Sequence, residues 1–386
     1  MNKSRFSLAY CTNIWSHHQG PICSELAEIL GEYHFKACLF EPVHDERRQM
    51  GWASDIPNHK WIVGPPSSNG EMTQLIKIVC DADVAILGSC PQEVQAARVT
   101  TGKLTFMMSE RIMRKGLFGL RLLNPRFSRG IKKFKNMVNR KNVHYLAMGA
   151  YAAEDVRRIG AYGDRLWVWA YFSGLAAQSP QPRTRDQMCI LWGGRMLSWK
   201  RVDLLLKAVG QLCHEPAFAR LDIVGIGPEK SRLLKLSRKL NLGDKCVFHT
   251  PVSADHMLKT IQKSDIYVLS SNRNEGWGVV ANESMSEGAV LVANEQAGAA
   301  RVLIDHGRTG FLFKDGDVDN LTTILYTLFT NASLRETVRQ TAWREMHRLW
   351  HPRVGAERLV ELSKGLLGLA PMPAYKEGPC SRVEEV

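Results

Sequence analysis

Residues 266–288 read Ile-Tyr-Val-Leu-Ser-Ser-Asn-Arg-Asn-Glu-Gly-Trp-Gly-Val-Val-Ala-Asn-Glu-Ser-Met-Ser-Glu-Gly. The apolar run Ile266–Leu269 predicts a buried strand, and Val279–Glu287 predicts a helix. The loop between them carries Glu275 and two glycines. Backbone amides of such a loop form an anion site where it enters a helix, and a neighbouring carboxylate can accept hydrogen bonds from sugar hydroxyls. The stretch therefore predicts a strand–loop–helix unit for a ligand that is anionic at one point and polyhydroxylated at another.

The same order of strand and helix recurs along most of the chain. Segments with i, i+3, i+4 apolar spacing, such as Val202–Val209, predict helices between short apolar runs. Strands that alternate with helices form parallel sheets covered on both faces, so we predict the α/β class. The runs that predict strands are Leu8–Cys11, Ala37–Phe40, Val84–Leu87, Leu104–Met108, Tyr145–Met148, Leu166–Phe172, Cys189–Trp192, Leu221–Val224, Cys246–Phe248, Ile266–Leu269, Val290–Ala293 and Gly310–Phe313.

The length and a Pro- and Gly-containing segment predict two domains. A chain of 386 residues suits two domains, and residues 174–186 are the best linker candidate. We therefore predict one doubly wound domain over residues 1–173 and a second over residues 187–352. The tail, residues 371–386, is rich in proline and charge and is predicted to be disordered.

Composition excludes several classes of protein. Apolar residues make up 45% and charged residues 23%, which is typical of a globular protein. No run is long enough for a transmembrane helix, and the N-terminus lacks the pattern of a secretory signal. The nine cysteines are scattered without metal-ligand spacing, which suits reduced thiols in the cytoplasm.

A second motif follows another predicted strand. Residues 193–203 read Gly-Gly-Arg-Met-Leu-Ser-Trp-Lys-Arg-Val-Asp, directly after Cys189–Trp192. Arg195 offers a planar fork to phosphate oxygens and Lys200 a point charge, so the pair suits a diphosphate. The alternative is a charged loop that precedes a helix, with Asp203 in its first turn.

A third motif, Val-Gly-Ile-Gly-Pro at residues 224–228, is similar to the start of a dinucleotide fingerprint. The third glycine would fall at position 230, which is a lysine. A dinucleotide-dependent dehydrogenase is therefore excluded.

In order and spacing, these three motifs resemble the retaining glycosyltransferases of family 4, which have the GT-B fold. The resemblance covers Cys189 to about Phe313 closely and the N-terminal half loosely. It implies two doubly wound Rossmann-like domains that face each other across a cleft, the first binding an acceptor and the second a nucleoside-diphosphate sugar of the UDP or GDP type. It also implies a terminal helix at residues 353–368 that crosses back to the first domain. Packing of that helix on the second domain alone is the alternative.

The resemblance implies a role for each motif residue. Arg195 and Lys200 would bind the donor diphosphate, Glu275 the hydroxyls of the donor sugar, and Glu283 the ribose. The backbone around Gly276–Gly278 would lie against sugar and phosphate, and the remaining donor-binding candidates are Gly194, Gly225, Gly227 and Trp277. The family needs no metal in this site, and we predict no cofactor. Ala297–Arg301 departs from the family's Gly-Gly-x-x-Glu, so the donor sugar is not predicted.

The first half offers three acceptor or cleft candidates: His18, Gly20 and Glu110. Gly20 stands where relatives often carry a glycine pair that closes over the donor phosphates, and His18 lies in the same loop. Glu110 follows a predicted strand at a point where many relatives have a histidine. It could orient the acceptor hydroxyl or act as an acid or base. The alternatives are an exposed loop histidine and a salt bridge between Glu110 and Arg111 or a neighbouring base.

The net charge of +13 is concentrated in one segment. Residues 111–141 contain eleven bases and no acid, so the rest of the chain carries 13 − 11 = +2. Bases that alternate with leucine and phenylalanine suit an anionic lipid surface, and a solvated face on packed helices is the alternative. We predict no nucleic-acid partner, because no known module surrounds the segment. The membrane candidates are Arg121, Arg126, Lys132, Lys133 and Lys135.

These interpretations together predict a metal-independent, retaining hexosyltransferase. Its predicted catalytic residues are Glu275, Arg195, Lys200 and Glu110. We expect the acceptor to be a lipid-linked saccharide, and the protein to be peripheral at the inner face of a bacterial membrane in cell-surface polysaccharide synthesis. Two alternatives stay open: a non-catalytic GT-B scaffold for a membrane or a subunit, and a sugar-nucleotide epimerase.

Overall fold

The computed structural model describes residues 6–43, 55–113, 124–181, 188–215 and 218–384. The described residues fall into two compact units. One contains the residues up to Gly174 together with those from Leu349 onward, and the other runs from Leu175 to Arg348. The chain leaves the first unit at Gly174, which is where the predicted linker begins. The start of that linker is docked on the second unit, where the Ala176 amide donates to the Ser286 hydroxyl at 2.8 Å.

The first unit is built on a parallel sheet of seven strands in the order β3-β2-β1-β4-β5-β6-β7. The strands are almost wholly buried, because helices cover both faces. The strands are β1 (Leu8–Thr12), β2 (Phe35–Leu39), β3 (Ile62–Val63), β4 (Val84–Leu87), β5 (Leu104–Glu110), β6 (Val143–Met148) and β7 (Leu166–Trp169). The helices are α1 (Gly20–Leu30), α2 (Asn69–Asp81), α3 (Gln92–Thr100), α4 (Pro125–Val138) and α5 (Ala150–Arg158).

The second unit contains a parallel sheet of six strands in the order β10-β9-β8-β11-β12-β13. The strands are β8 (Met188–Gly193), β9 (Phe218–Val224), β10 (Cys246–His249), β11 (Ile266–Leu269), β12 (Val290–Asn294) and β13 (Phe311–Phe313). The helices are α6 (Val202–Leu212), α7 (Lys230–Lys239), α8 (Ala254–Lys263), α9 (Val280–Ser286), α10 (Ala300–Leu303), α11 (Val318–Thr330) and α12 (Ala332–Leu349).

Both sheets confirm the predicted α/β class. Every predicted apolar run forms a strand, and the apolar positions of α6 are buried against the core of the second unit. The run Leu166–Phe172 was too long, since β7 ends at Trp169. The edge strand β3 was missed, because two residues carry no periodic signal.

The last helix, α13 (Pro352–Leu366), packs against α1 in the first unit. Arg353 at its start lies 3.1 Å from a carboxylate oxygen of Glu25 and 2.7 Å from one of Glu28. The predicted crossing of residues 353–368 therefore corresponds to a helix whose partner is the first helix of the chain. None of the described helices is both long and apolar enough to cross a bilayer.

The prediction of a disordered tail is wrong for residues 371–384. The Cys380 amide donates to the Val168 carbonyl at 2.8 Å, and the Val168 amide donates to the Ser381 carbonyl at 2.9 Å. Cys380 and Ser381 are buried, and Arg382 lies 3.9 Å over the ring of Trp167. The prediction failed because composition contains no information on backbone hydrogen bonds to the edge of a sheet.

Candidate functional site

Two motif loops of the second unit begin at neighbouring strand ends. Strands β8 and β11 are adjacent and parallel, so their carboxyl ends lie side by side. The loop after β8 carries Arg195 and Lys200, and the loop after β11 carries Glu275. Open α/β sheets bind ligands outside these ends, which makes this edge the candidate site.

The two loops meet at an ion pair between Lys200 and Glu275. Lys200 Nζ donates to Glu275 Oε2, and the side chains are only 19% and 11% exposed. The ammonium also lies 4.6 Å from the ring centre of Trp199. Two residues that are far apart in the sequence thus form one half-buried charged group, as their proposed roles require.

Hydrogen bonds from buried side chains hold the backbone of Lys200 in place. The Ser270 hydroxyl donates to the Lys200 carbonyl at 2.7 Å, and Trp192 Nε1 donates to the Ser270 oxygen at 3.1 Å. The Asn272 amide also donates to the Trp199 carbonyl at 3.0 Å. Sequence analysis missed Ser270 and Trp192, because bonds between the ends of two strands leave no local signal.

The Glu275 loop is shaped by Asn272 and Gly278. The Asn272 carbonyl accepts from the Glu275 amide at 2.9 Å, which closes a tight turn. Gly278 has a φ of +90°, and a Cβ there would lie 3.2 Å from Glu275 Cγ. Glycine is therefore required at this position, whatever it contributes to a ligand.

Trp277 is the large aromatic residue of this loop. Its indole is fully buried and Nε1 donates to Asn282 Oδ1 at 2.8 Å. The ring is part of the protein interior, so only the backbone of Trp277 is left for a donor contact.

Gly298, from the loop after β12, lies directly against Gly276. A Cβ on Gly298 would come within 1.7 Å of the Gly276 carbonyl oxygen, and its amide donates to the Glu275 carbonyl at 3.3 Å. Arg301 of α10 pairs with Glu295 of the same loop at 2.6 Å. A third strand end therefore contacts the candidate site.

Gly225 and Gly227 have a packing reason of their own. A Cβ on Gly225 would come within 2.0 Å of the Gly194 carbonyl oxygen. A Cβ on Gly227 would come within 2.4 Å of the Met196 carbonyl oxygen. These glycines let the loops after β8 and β9 run against each other. Gly194, Gly225 and the exposed Arg195 line a shallow pocket of about 30 Å³ with Pro251.

Glu283 lies in the first turn of α9 and is half-buried. Burial raises the pKa of the Tyr267 hydroxyl far above its usual range, and the charges of Glu283 and Glu275 raise this pKa further. The charges of both carboxylates thus act on one buried group. The Tyr267 hydroxyl donates to the Gly193 carbonyl at 2.9 Å and accepts from the Gly193 amide at 3.0 Å, which fixes the end of β8.

In the first unit, Glu110 and His18 line the same pocket, while Gly20 packs elsewhere. The Tyr171 hydroxyl donates to Glu110 Oε1 at 3.3 Å, and the His18 ring centre lies 6.0 Å from that of Tyr171. Gly20 begins α1, and a Cβ there would lie 3.0 Å from the Trp15 ring. The absence of a side chain at Gly20 therefore lets the start of α1 pack closely against Trp15.

The basic segment is described from Asn124 onward, so Arg121 lies outside the described residues. On α4, Arg126, Lys132 and Lys133 are exposed and Lys135 is half-buried. The apolar side chains of this helix pack on the core of the first unit, namely Ile131, Phe134 and Met137. The described part therefore matches the alternative of a solvated basic face: it offers charge to a partner, while these apolar residues are covered.

Part of the chain is similar to known glycosyltransferase sequences. Residues 177–344 match the sequence model of the family described as Glycosyl transferases group 1. The sulfoquinovosyl transferase SQD2 of Arabidopsis thaliana is 29% identical over 215 residues, which are 52% of this chain and 38% of that protein. An uncharacterized glycosyltransferase of Haemophilus influenzae is 30% identical over 182 residues, 47% of this chain and 49% of its own length. The chain thus spans half or less of the length of these curated relatives.

Solved structures extend the likeness to both units. HepE of Anabaena, crystallised with UDP, matches with a TM-score of 0.66 at 16% identity, over 92% of this chain and 98% of that one. WaaG, a glycosyltransferase involved in lipopolysaccharide biosynthesis, matches with a TM-score of 0.63 at 15% identity, over 93% of this chain and 100% of that one. The fold is GT-B.

Proposed function

We propose that the chain is a retaining, metal-independent glycosyltransferase of family 4 that uses a nucleoside-diphosphate sugar of the UDP or GDP type. The observation that carries the proposal is the Lys200–Glu275 pair at adjacent strand ends of the second unit. The match of residues 177–344 to the group 1 glycosyl transferases supports the transfer of a sugar, and the structural neighbour HepE was crystallised with UDP.

The pair provides two functions at one point. An ammonium has three N–H donors, so Lys200 can bond Glu275 and a phosphate oxygen at the same time. Glu275 has a second carboxylate oxygen to accept from donor-sugar hydroxyls, and Arg195 adds a planar fork for the diphosphate. A half-buried cation that is already in position stabilises the charge that develops on the leaving diphosphate.

Transfer then proceeds, in this proposal, to an acceptor hydroxyl on the face from which the diphosphate leaves. The C–O bond to the phosphate breaks, the new glycosidic bond forms on the same side, and a phosphate oxygen takes the proton of the acceptor. Glu110 in the first unit would orient that hydroxyl. Glu275 is engaged by Lys200, which argues against its acting as a nucleophile. A glycosyl adduct trapped on Glu110 or Glu275 would contradict this mechanism.

Nucleotide-sugar turnover tests the reaction class. Wild type and Glu275→Gln would be incubated with UDP- and GDP-sugars and a bacterial lipid extract, and followed by NMR. We expect release of the nucleoside diphosphate and a glycoside with the anomeric configuration of the donor, both lost in Glu275→Gln. An epimerised nucleotide sugar without release would establish the epimerase alternative. Intact donors, together with measurable diphosphate binding, would favour the scaffold.

The acceptor proposed here is a lipid-linked saccharide at the inner face of a bacterial cytoplasmic membrane, in cell-surface polysaccharide synthesis. The support is the exposed bases of α4, namely Arg126, Arg129, Lys132 and Lys133. Each base near an anionic leaflet contributes about 1 kcal/mol, so these residues could supply roughly 4 kcal/mol.

Vesicle sedimentation tests the membrane contact. We expect binding to anionic vesicles that weakens more than tenfold in Lys132→Gln/Lys133→Gln, since two charges are lost. The matched control is Lys235→Gln/Lys239→Gln, which removes two exposed bases of α7 in the second unit. Equal binding by both double variants would remove the support for a membrane-bound acceptor.

A further inference from the structure

The first unit contains a pocket of about 310 Å³ at the carboxyl ends of its central strands. Thr12 lines it from the end of β1, Ser89 from the loop after β4, and Glu110 from the end of β5. In the sheet order, β1 and β4 are neighbours from which the strand order runs outward in opposite directions. Open α/β sheets bind ligands at such a switch point, and the volume is at the lower end of the range for small-molecule sites.

The polar groups of the pocket suit hydroxyls. Glu110 accepts a hydrogen bond from the Tyr171 hydroxyl at 3.3 Å. The Ser109 hydroxyl, also in the lining, lies 2.9 Å from the Tyr145 hydroxyl. A carboxylate accepts up to about four hydrogen bonds, and hydroxyls both donate and accept. Such a set recognises neighbouring hydroxyls on a ring.

Several of the remaining lining residues are apolar, beside His18, Gln19 and Arg111. Ile22, Met108, Met148 and Phe172 belong to the same pocket. A sugar or cyclitol ring has a face of C–H groups and a rim of hydroxyls, and therefore needs both kinds of surface. Pockets that combine an apolar lining with a few polar groups bind small molecules in a fixed orientation.

The carboxylate of Glu110 and the paired state of Arg111, both in the described lining, disfavour an anionic ligand in this pocket. The lining cation Arg111 is 3.3 Å from the Asp155 carboxylate, and these side chains are only 5% and 1% exposed. Asp155 also accepts from the Met113 amide at 2.7 Å. Because this arginine is neutralised by a buried partner, a phosphate or carboxylate on the ring would face the carboxylate of Glu110 without gaining an ion pair from Arg111.

We propose that this pocket binds a neutral, polyhydroxylated ring of the acceptor, and that Glu110 selects against rings that carry phosphate or carboxylate. This inference rests on the proposed glycosyl transfer, because it assigns a substrate class to the acceptor side of that reaction. Any anionic part of the acceptor then binds outside this pocket.

Direct ligand binding to the full chain tests the proposal. Methyl glycosides of glucose, galactose, mannose and N-acetylglucosamine would be compared with glucose 6-phosphate by saturation-transfer NMR, with and without UDP or GDP. We expect at least one neutral glycoside to bind saturably in the millimolar range and more tightly than the phosphate. In Glu110→Gln the dissociation constant of that glycoside should rise about tenfold, because a charged acceptor becomes neutral.

Two further variants and one parallel measurement separate the outcomes. Tyr171→Phe removes the hydroxyl bonded to Glu110 and should change glycoside binding less than Glu110→Gln does. Glu32→Gln, an exposed carboxylate of the same unit, should leave binding unchanged. Tighter binding of the sugar phosphate, or equal glycoside binding by Glu110→Gln and Glu32→Gln, would overturn the inference. Diphosphate binding is measured in the same samples and reports on the donor site. If diphosphate binds and no glycoside binds, the pocket is not the acceptor site, whereas the proposed function is not contradicted.

Discussion

Both the ammonium and the backbone of Lys200 are held in place at the proposed donor site. Its ammonium bonds Glu275, and its carbonyl accepts from Ser270, which is itself bonded to the indole of Trp192. The backbone bond matters for function because it fixes the start of a long, flexible side chain. A cation that is positioned before the ligand arrives loses less entropy on binding.

Two adjacent serines allow this support to be tested. Ser270→Ala leaves the Lys200 carbonyl and the Trp192 indole without their buried partner, so we expect a loss of about 2 kcal/mol in unfolding free energy and about tenfold in diphosphate affinity. The hydroxyl of Ser271 is also buried but bonds none of the described groups. We therefore expect Ser271→Ala to change stability by less than about 0.5 kcal/mol. Urea denaturation and calorimetric titration check both, and equal effects of the two variants would contradict the role of Ser270.

At residue scale, local spacing identified Glu275 and Glu283, eight positions apart, as candidates in a strand–loop–helix context. The structure confirms that context, since Glu275 follows β11 and Glu283 lies in α9, while the roles of the two carboxylates stay predictions. The supporting roles of Ser270 and Tyr267 could not be predicted from the sequence. Each side chain hydrogen-bonds a backbone carbonyl about 70 positions away in the chain. The backbone role of Trp277 at the donor stays a prediction, and the burial of its ring could not be inferred, because a motif does not reveal which way an aromatic ring points.

The segment around Cys380 acts as an additional edge to the first sheet. Its backbone pairs with β7, and Arg157 donates to the Val383 and Glu384 carbonyls at 2.7 and 3.0 Å. Uncovered edge strands are liable to pair with other chains. The tail therefore protects an edge that would otherwise present free backbone groups.

Removing the tail from Gly378 onward should have two effects. We expect the unfolding free energy to fall by about 2–4 kcal/mol, because three backbone hydrogen bonds to β7 are lost together with the burial of Cys380. We also expect concentration-dependent self-association through the exposed edge of β7. Denaturation and light scattering check the two effects. A truncated chain that stays monomeric and unfolds at the wild-type urea concentration would show that the pairing is not needed.

At the scale of elements, hydrophobic runs predicted the strands of both sheets except β3. They succeeded because strands buried on both faces are continuous apolar stretches. The failures occurred where structure depends on partners distant in the sequence. Two-residue β3 exists because it pairs with β2, and the tail is ordered because β7 offers an unpaired edge.

The charge state of His144 is coupled to the stability of the folded molecule. Burial lowers the pKa of His144 to about 4, with smaller contributions from the positive charges of Arg165 and Arg382. The neutral ring accepts a hydrogen bond from Trp167 Nε1 at its Nδ1, at 3.2 Å. Between a pH of about 6.5 and about 4, the unfolded chain binds a proton at this position that the folded chain does not bind. Stability due to His144 therefore falls as the pH falls through this window.

Comparison of wild type with His144→Gln isolates this contribution. From about pH 7 to about pH 4.5, we expect wild type to lose about 2–3 kcal/mol more unfolding free energy than the variant, which has no ring to protonate. His256→Gln, at an exposed position of α8, should follow the wild-type pH dependence. Urea titrations at the two pH values check this. A variant as acid-sensitive as wild type would show that the coupling lies elsewhere.

The most direct test of the donor site is a calorimetric and thermal-shift panel of UDP, GDP, ADP, dTDP and CMP against three proteins. These are wild type, Lys200→Ala and the control Lys207→Ala, which removes an exposed lysine of α6 in the same unit. At a hundred times its dissociation constant, a diphosphate adds about 2.7 kcal/mol, which corresponds to several degrees in Tm. We predict that one diphosphate binds wild type and Lys207→Ala alike and that Lys200→Ala loses this binding. If none binds wild type at millimolar concentration, or if Lys200→Ala binds as wild type does, the Lys200–Glu275 pair is not a nucleotide-sugar site.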